Sequence, residues 1–180
     1  MAYTAPITFV NGVPLTAAQL NAIQANILET AVAKATTLSR YFVATGPNAL
    51  AERAASRQTV DTIADTTSTT FTGSLTGPST GPTVTVTCGD KALVTCHSYI
   101  RPLTAGQAGF FGFAISGATT RAANDQESLG FAGDGTAALM SSMAQLIMFL
   151  TPGSNTFTAN YRTTGGTSRF DGRRLCLFPL

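Results

Sequence analysis

Thr156-Phe157-Thr158-Ala159-Asn160-Tyr161-Arg162-Thr163 changes character at every step, with Phe157, Ala159 and Tyr161 alternating with Thr158, Asn160 and Arg162. A period of two is the mark of a strand, because successive side chains leave opposite faces of a sheet. This strand therefore has one core face and one wet face. The same alternation emerges in Thr83-Val84-Thr85-Val86-Thr87, within a stretch rich in threonine, glycine and proline. Threonine makes a sheet surface polar without charging it. Further β-runs at 91–100, 110–116, 137–150 and 173–180 are set off by the turn signals Gly89-Asp90, Gly117, Pro152-Gly153-Ser154, Gly165-Gly166 and Asp171-Gly172. A succession of strands without helical patterns between them predicts a mainly β chain, with a jelly-roll-like antiparallel β-sandwich over 66–180. The run 137–150 also suits a buried helix through Met140, Met143 and Met148, and periodicity alone does not separate the two. The final Leu175-Cys176-Leu177-Phe178-Pro179-Leu180 is apolar on both faces, which places it inside a sheet or against another subunit.

Towards the N-terminus the pattern differs. Ile7-Thr8-Phe9-Val10-Asn11-Gly12-Val13-Pro14 reads as a short apolar arm broken by a turn signal. Thr16 and Gln19 then form a Thr-x-x-Gln capping box, with Leu15 and Leu20 at the staple positions, so a helix starts at Thr16 or Ala17. Leu20, Ile23, Ile27 and Ala31 recur at spacings of three and four and give an amphipathic helix of about five turns. That stripe needs a partner, either its own domain or copies of itself around a symmetry axis. Arg40 to Thr45, Gly46-Pro47-Asn48 and Ala49 to Arg53 read as two short strands around a turn. The expected organisation is an arm and helix over 1–36, a hairpin and linker over 37–65, and the sandwich over 66–180.

Composition narrows the function. The 180 residues are 44% hydrophobic and 11% charged, whereas an ordinary soluble domain is about 25% charged. The net charge of +2, without a basic stripe, argues against nucleic acid and anionic lipid. Leu146 to Leu150 is the longest uninterrupted apolar run, far short of the roughly 20 residues that cross a bilayer. No secretory signal is visible at the start. Three cysteines, Cys88, Cys96 and Cys176, without a Cys-x-x-Cys spacing read as small buried hydrophobes in a reducing compartment. If Gly89-Asp90 closes a two-residue hairpin, Cys88 faces Lys91 and Cys96 faces Thr83.

Chemical motifs are few. Gly77-Pro78-Ser79-Thr80-Gly81 matches a nucleophile elbow in letters, with Asp90 and His97 following in hydrolase order, but a strand before the serine and a helix after it are missing. His97 is the single histidine, and Cys96 points to the opposite face of the same strand, so no ligand set forms around it. Asp125 and Glu127 are suited to flank a cation or sugar on an extended segment, yet no calcium loop surrounds them. Gly133-Asp134-Gly135 is most simply a turn. These readings point away from an enzyme and towards a binding or structural protein without cofactor or metal.

Ile115-Ser116-Gly117-Ala118-Thr119-Thr120-Arg121-Ala122-Ala123, Leu150-Thr151-Pro152-Gly153-Ser154-Asn155-Thr156-Phe157-Thr158-Ala159-Asn160-Tyr161-Arg162 and Arg173-Arg174-Leu175-Cys176-Leu177-Phe178-Pro179-Leu180 resemble the C-terminal β-domain of small virion surface proteins from tailed phages of actinobacteria. Phe9-Val10-Asn11-Gly12-Val13-Pro14-Leu15-Thr16-Ala17-Ala18-Gln19-Leu20-Asn21 is similar to N-terminal attachment segments in such proteins. Unlike long tail fibres, the chain has no repeat-rich shaft. The resemblance implies a homotrimer of sandwiches packed about a threefold axis, as in tumour-necrosis-factor-like jelly rolls. It further implies a capsid decoration protein on the outside of the head, assembled in the host cytoplasm and partnered by the major capsid protein. The alternative is a minor tail protein or a receptor-binding tail-fibre knob, partnered by tail proteins, with a glycan or protein site near 124–135 and Phe131 as its aromatic. On this reading Ile7, Phe9, Val10 and Val13 anchor the chain to the virion, Leu20, Ile23, Ile27 and Ala31 form a helix interface, and Leu175, Leu177 and Phe178 form the trimer interface.

Overall fold

The computed structural model describes residues 11–28, 36–47, 49–77 and 80–180, and the chain divides into two compact units, Met1–Ala54 and Ala55–Leu180. In the first unit, helix α1 (Ala17–Leu28) begins where the capping box places it. The Thr16 backbone N–H donates to Gln19 Oε1 at 2.9 Å, and the Gln19 N–H donates to Thr16 Oγ1 at 3.3 Å. Two N–H groups without a helical acceptor are satisfied by each other's side chains. Strands β1 (Tyr41–Gly46) and β2 (Ala49–Arg53) form the expected antiparallel hairpin. Glu52 receives the Thr36 hydroxyl at 2.6 Å and the Thr36 N–H at 2.7 Å, and these bonds hold its carboxyl below the usual range.

The second unit holds β3 (Ser56–Val60), β4 (Ala64–Thr66), β5 (Thr83–Cys88), β6 (Ala92–Pro102), β7 (Ala108–Gly117), β8 (Leu129–Ala132), β9 (Leu139–Ile147), β10 (Gly153–Thr163) and β11 (Ser168–Pro179). One sheet runs β3–β11–β6–β9, with β4 also on β11, and the other runs β5–β10–β7–β8. All pairs are antiparallel. The pairings are nested: β3 with β11, β5 with β10, β6 with β9, β7 with β8. A long hairpin rolled over on itself produces this order, which is that of a jelly roll.

Two expectations are corrected by this topology. The sandwich begins at β3, so most of the stretch 55–65, read as linker, is strand paired to the C-terminal β11. Gly89-Asp90 does not close a hairpin, because β5 and β6 lie in different sheets. Cys96 stands opposite Leu175 and Met143 instead of Thr83. Local turn chemistry is the same for a hairpin and for a crossing between layers, and only the layer assignment tells them apart. Within the run 137–150, Leu139–Ile147 is strand and not helix, since β9 pairs with β6 along its whole length.

Between the sheets lie Phe111, Phe113 and Ile115 of β7, Phe157, Ala159 and Tyr161 of β10, Val94, Cys96 and Ile100 of β6, and Phe170, Leu175 and Leu177 of β11. Phe111 stacks on Tyr161 at 5.1 Å between centroids, and Tyr161 meets Phe170 at 4.9 Å. Such aromatic pairs add about 0.5–1.5 kcal/mol each beyond the area they bury. Asn155 is the buried polar tie: its amide donates to Thr151 O (3.0 Å) and Gly153 O (3.3 Å), and its Oδ1 accepts the Thr119 N–H (2.8 Å).

Asp171-Gly172 proves to be a β-bulge within β11, where the register with β6 slips between Asp171 and Arg174. Gly172 sits at φ +54°, a left-handed conformation that glycine adopts at no steric cost. One extra residue inverts the inside-outside alternation of everything that follows. Ser168 and Phe170 face inwards before the bulge; Arg173, Leu175 and Leu177 face inwards after it. The Ser98 hydroxyl donates to Asp171 O at 3.0 Å and closes the bulge. The buried Arg173 guanidinium donates to Thr62 O at 2.8 Å and lies 5.6 Å from the Tyr161 ring centre.

Candidate association surface

The two sheets turn very different outer faces to solvent. On the β5–β10–β7–β8 sheet, Thr83 and Thr85 stand beside Thr158 and Thr156, which stand beside Ala114 and Ser116. Thr85 Oγ1 and Thr156 Oγ1 are hydrogen-bonded at 2.8 Å. Around these rows the face is a hydroxyl surface with little to gain from leaving water, while Asn160, Arg162 and Phe110 continue it towards the other end of β10 and β7.

On the other sheet the cross-strand rows towards either end are largely apolar, separated by the polar row of Arg174, His97 and Ser142. Phe178 of β11, Leu93 of β6 and Leu146 of β9 are in register, followed by Cys176, Thr95 and Ala144, and at the far end Tyr99 lies opposite Met140. Phe178 is 41% exposed and Leu146 48% exposed, so the row is half in water. Directly opposed side chains sit about 4.5–5.5 Å apart at Cβ, which makes Phe178, Leu93 and Leu146, with Cys176 and Ala144 beside them, one apolar patch. Contiguous apolar patches on a folded surface mark places of association. The patch runs to β9, the last strand of its sheet among the described residues, whose outer edge offers backbone groups to a further chain.

His97 lies in the middle of this face, between Arg174 and Ser142. Its Nδ1 is 2.9 Å from the Ser142 hydroxyl, and its ring meets Tyr99 edge-on at 6.2 Å. Partial burial, and secondarily the Arg174 guanidinium, lower its pKa, so near neutrality the face carries an uncharged imidazole. Below it, burial pushes the Cys96 thiol up to about 12.

The residues singled out in the sequence are distributed as follows. Leu175 and Leu177 are wholly buried between the sheets of their own chain and are therefore not available to a subunit interface, because the bulge at Gly172 turns them inwards. Phe178 of the same strand does face outwards. Leu20, Ile27 and Val13 are more than half exposed, and Ile23 is half-buried. Ile7, Phe9, Val10 and Ala31 lie outside the described residues, as does Ser79. Asp90 precedes β6, which starts at Ala92, and the five strand steps from Ala92 to His97 alone span roughly 16 Å at 3.3 Å per residue, so the two do not meet. Asp125 pairs with Arg162 at 2.7 Å and Glu127 with Arg121 at 3.1 Å, so the carboxylates serve different cations. Asp134 caps its turn, accepting the N–H groups of Thr136 and Ala137, which hold its carboxyl down at about 2. Phe131 packs against the core and is not displayed on a loop. Among the described residues no three His, Cys, Asp or Glu side chains gather as a metal site, and no helix is long and apolar enough to cross a membrane.

Leu93 and Leu146 of this patch, and Tyr99 with Met140 beyond the His97 row, were not picked out as surface residues in the sequence. The signal was present in 137–150, which is apolar at odd and even positions alike. A strand greasy on both sides is either central in its sheet or covered from outside. No protein-family model matches the chain, and no curated protein matches it.

Proposed function

We propose that this chain is a structural, non-enzymatic protein of a tailed-phage virion, a homotrimeric capsid decoration protein. Its jelly rolls pack together through the apolar outer face of the β3–β11–β6–β9 sheet and present the threonine-rich sheet to solvent. The observation that carries this reading is the asymmetry of the two outer faces, one hydroxylated and one apolar around Leu93, Leu146 and Phe178. A protein with so few charged groups, 11% of the chain, lowers its free energy by burying such a face against identical copies. The threefold arrangement and the place on the head come from the resemblance to virion surface proteins. Attachment falls to the N-terminal segment, with Ile7, Phe9, Val10 and Val13 as anchors on the major capsid protein and Leu20, Ile23, Ile27 and Ala31 as a helical contact. Each anchor contributes about 1.5–3 kcal/mol on burial before ordering costs, and three arms on one trimer act together through avidity.

Removal of residues 1–14 tests this reading. The truncated protein keeps the mass of the full-length assembly but no longer sediments with particles, and cryo-electron microscopy of the virion places the full-length density on the head. Retained attachment refutes the role of the arm. Density on the tail favours the second reading, a minor tail protein or receptor-binding knob, which an open cleft on the threonine-rich sheet supports.

A further inference from the structure

We infer that the cleft on the outer face of the β5–β10–β7–β8 sheet is a binding site for a neutral saccharide. It has a volume of about 690 Å³ and is formed by Phe71, Ala114, Ala122, Asp125, Asn160 and Arg162 with their neighbours. The site belongs to one chain, so the inference stands whether the protein decorates the head or the tail.

The cleft is held rigid from both sides. Thr72 and Tyr161 exchange backbone hydrogen bonds at 3.0 and 2.8 Å, which clips Phe71 beside β10. Gly112 of β7 lies opposite Asn160, and a methyl group on it would approach the Phe71 ring to 3.2 Å. The bare glycine thus lets the ring lie down on the sheet. Arg162 is fixed between rings, its guanidinium carbon 4.1 Å from the centre of Phe110 and 5.5 Å from that of Phe71. Asp125 closes over it with two parallel bonds of 2.7 Å, from Nε to Oδ1 and from Nη2 to Oδ2. The turn carrying Asp125 is itself tied down, since Asn124 accepts the Glu127 N–H at 3.1 Å and the Ser128 hydroxyl donates to Asp125 O at 2.9 Å.

What remains available defines the ligand. Guanidinium and carboxylate cancel each other, so the cleft does not select for a charged group. Asp125 is 59% exposed and keeps lone pairs beyond those given to Arg162. The Asn160 side chain has no hydrogen-bond partner among the described residues, which leaves a carbonyl and an amide side by side. Paired donors and acceptors held at fixed spacing match the vicinal hydroxyls of a sugar, each of which gives one hydrogen bond and accepts another. Ala114 supplies a shallow apolar floor and Ala122 an apolar rim for the C–H face of the ring. With Arg162 over Phe71, the site has no bare aromatic platform, so recognition rests on hydroxyl geometry and single rings bind weakly.

The test uses the full-length protein and three probes, the methyl glycosides of α-glucose, α-mannose and β-galactose, followed by nitrogen–proton NMR. At least one glycoside produces saturable shifts centred on Asp125, Asn160 and Arg162, with a dissociation constant on the order of 1–10 mM. Sodium glucuronate binds no more tightly than its neutral counterpart. Asn160→Ala weakens binding by about tenfold, the loss of roughly one well-made polar contact. Ala122→Trp, which fills the cleft from its exposed rim, abolishes binding while the melting temperature is unchanged. Should one variant fail to fold, the other still decides. Absence of saturable shifts from all three glycosides, shifts mapping elsewhere, or full binding retained in either folded variant overturns the inference.

Discussion

In the proposed homotrimer, Leu146→Glu combined with Phe178→Glu is expected to separate the subunits into monomers. Both residues flank Leu93 on the outer face of the five-stranded sheet and are 48% and 41% exposed. Fully burying a leucine or phenylalanine gains about 1.5–3 kcal/mol, so the still-exposed halves of the two side chains hold back about 1.3–2.7 kcal/mol per protomer. Over a trimer that amounts to about 4–8 kcal/mol, or three to six decades in the association constant. Each introduced carboxylate would also have to leave water without a dedicated partner, which adds to the loss. The fold itself survives, because replacements at half-exposed positions change stability by only about 0.5 kcal/mol. Sedimentation velocity over a concentration series reads the outcome as mass, with a floor at 18.6 kDa for the single chain. Thr85→Glu with Thr158→Glu on the opposite sheet is the control and leaves the mass of the assembly intact. A wild-type protein that stays at 18.6 kDa at every concentration refutes the argument, as does a double glutamate variant with undiminished mass.

Three other outcomes follow from the same geometry. Because His97 is held below its ordinary pKa, the unfolded chain takes up the proton first as the medium is acidified; the stability contribution is present above about pH 6.5 and is lost below it, and comparing melting temperatures of wild type and His97→Gln across that range isolates the effect, an identical pH profile counting against it. Phe149 is 90% exposed at φ +61°, so Phe149→Asn relieves a strain of about 1 kcal/mol and raises the melting temperature by about 2–4 °C, whereas a drop shows that a contact made by the ring outweighs the strain. Cys88 and Cys96 are buried and Cys176 only partly so; Ellman's reagent therefore titrates no more than one thiol in the native protein and all three in denaturant, and Cys176 reacts faster in the double glutamate variant than in wild type, equal rates arguing that its sheet face is uncovered in both.

Much of the fold was legible because the rules that decide it are local. The capping box of Thr16 and Gln19 placed a helix start at Thr16 or Ala17, where α1 begins at Ala17, and alternation in 83–87 and 156–163 located strands and the sides they bury. β3 and β4 escaped notice because Ser56-Arg57-Gln58-Thr59-Val60 is too polar to alternate visibly; it is a strand only because β11 lies beside it. The Arg162–Asp125 pair that shapes the cleft joins residues 37 positions apart and leaves no trace in spacing.

Composition and periodicity by themselves determined that this is a β protein short of charge, with hydroxyl-rich strands and a capped N-terminal helix, since each of these depends only on a residue and its near neighbours. Which way the last strand faces was decided by tertiary structure alone. A single left-handed glycine at 172 turns Leu175 and Leu177 into the core and leaves Phe178 outside, and two strands distant in sequence bring Leu93 and Leu146 alongside it. Side-chain chemistry sets what a segment can bury; register, which one inserted residue inverts, sets what it does bury.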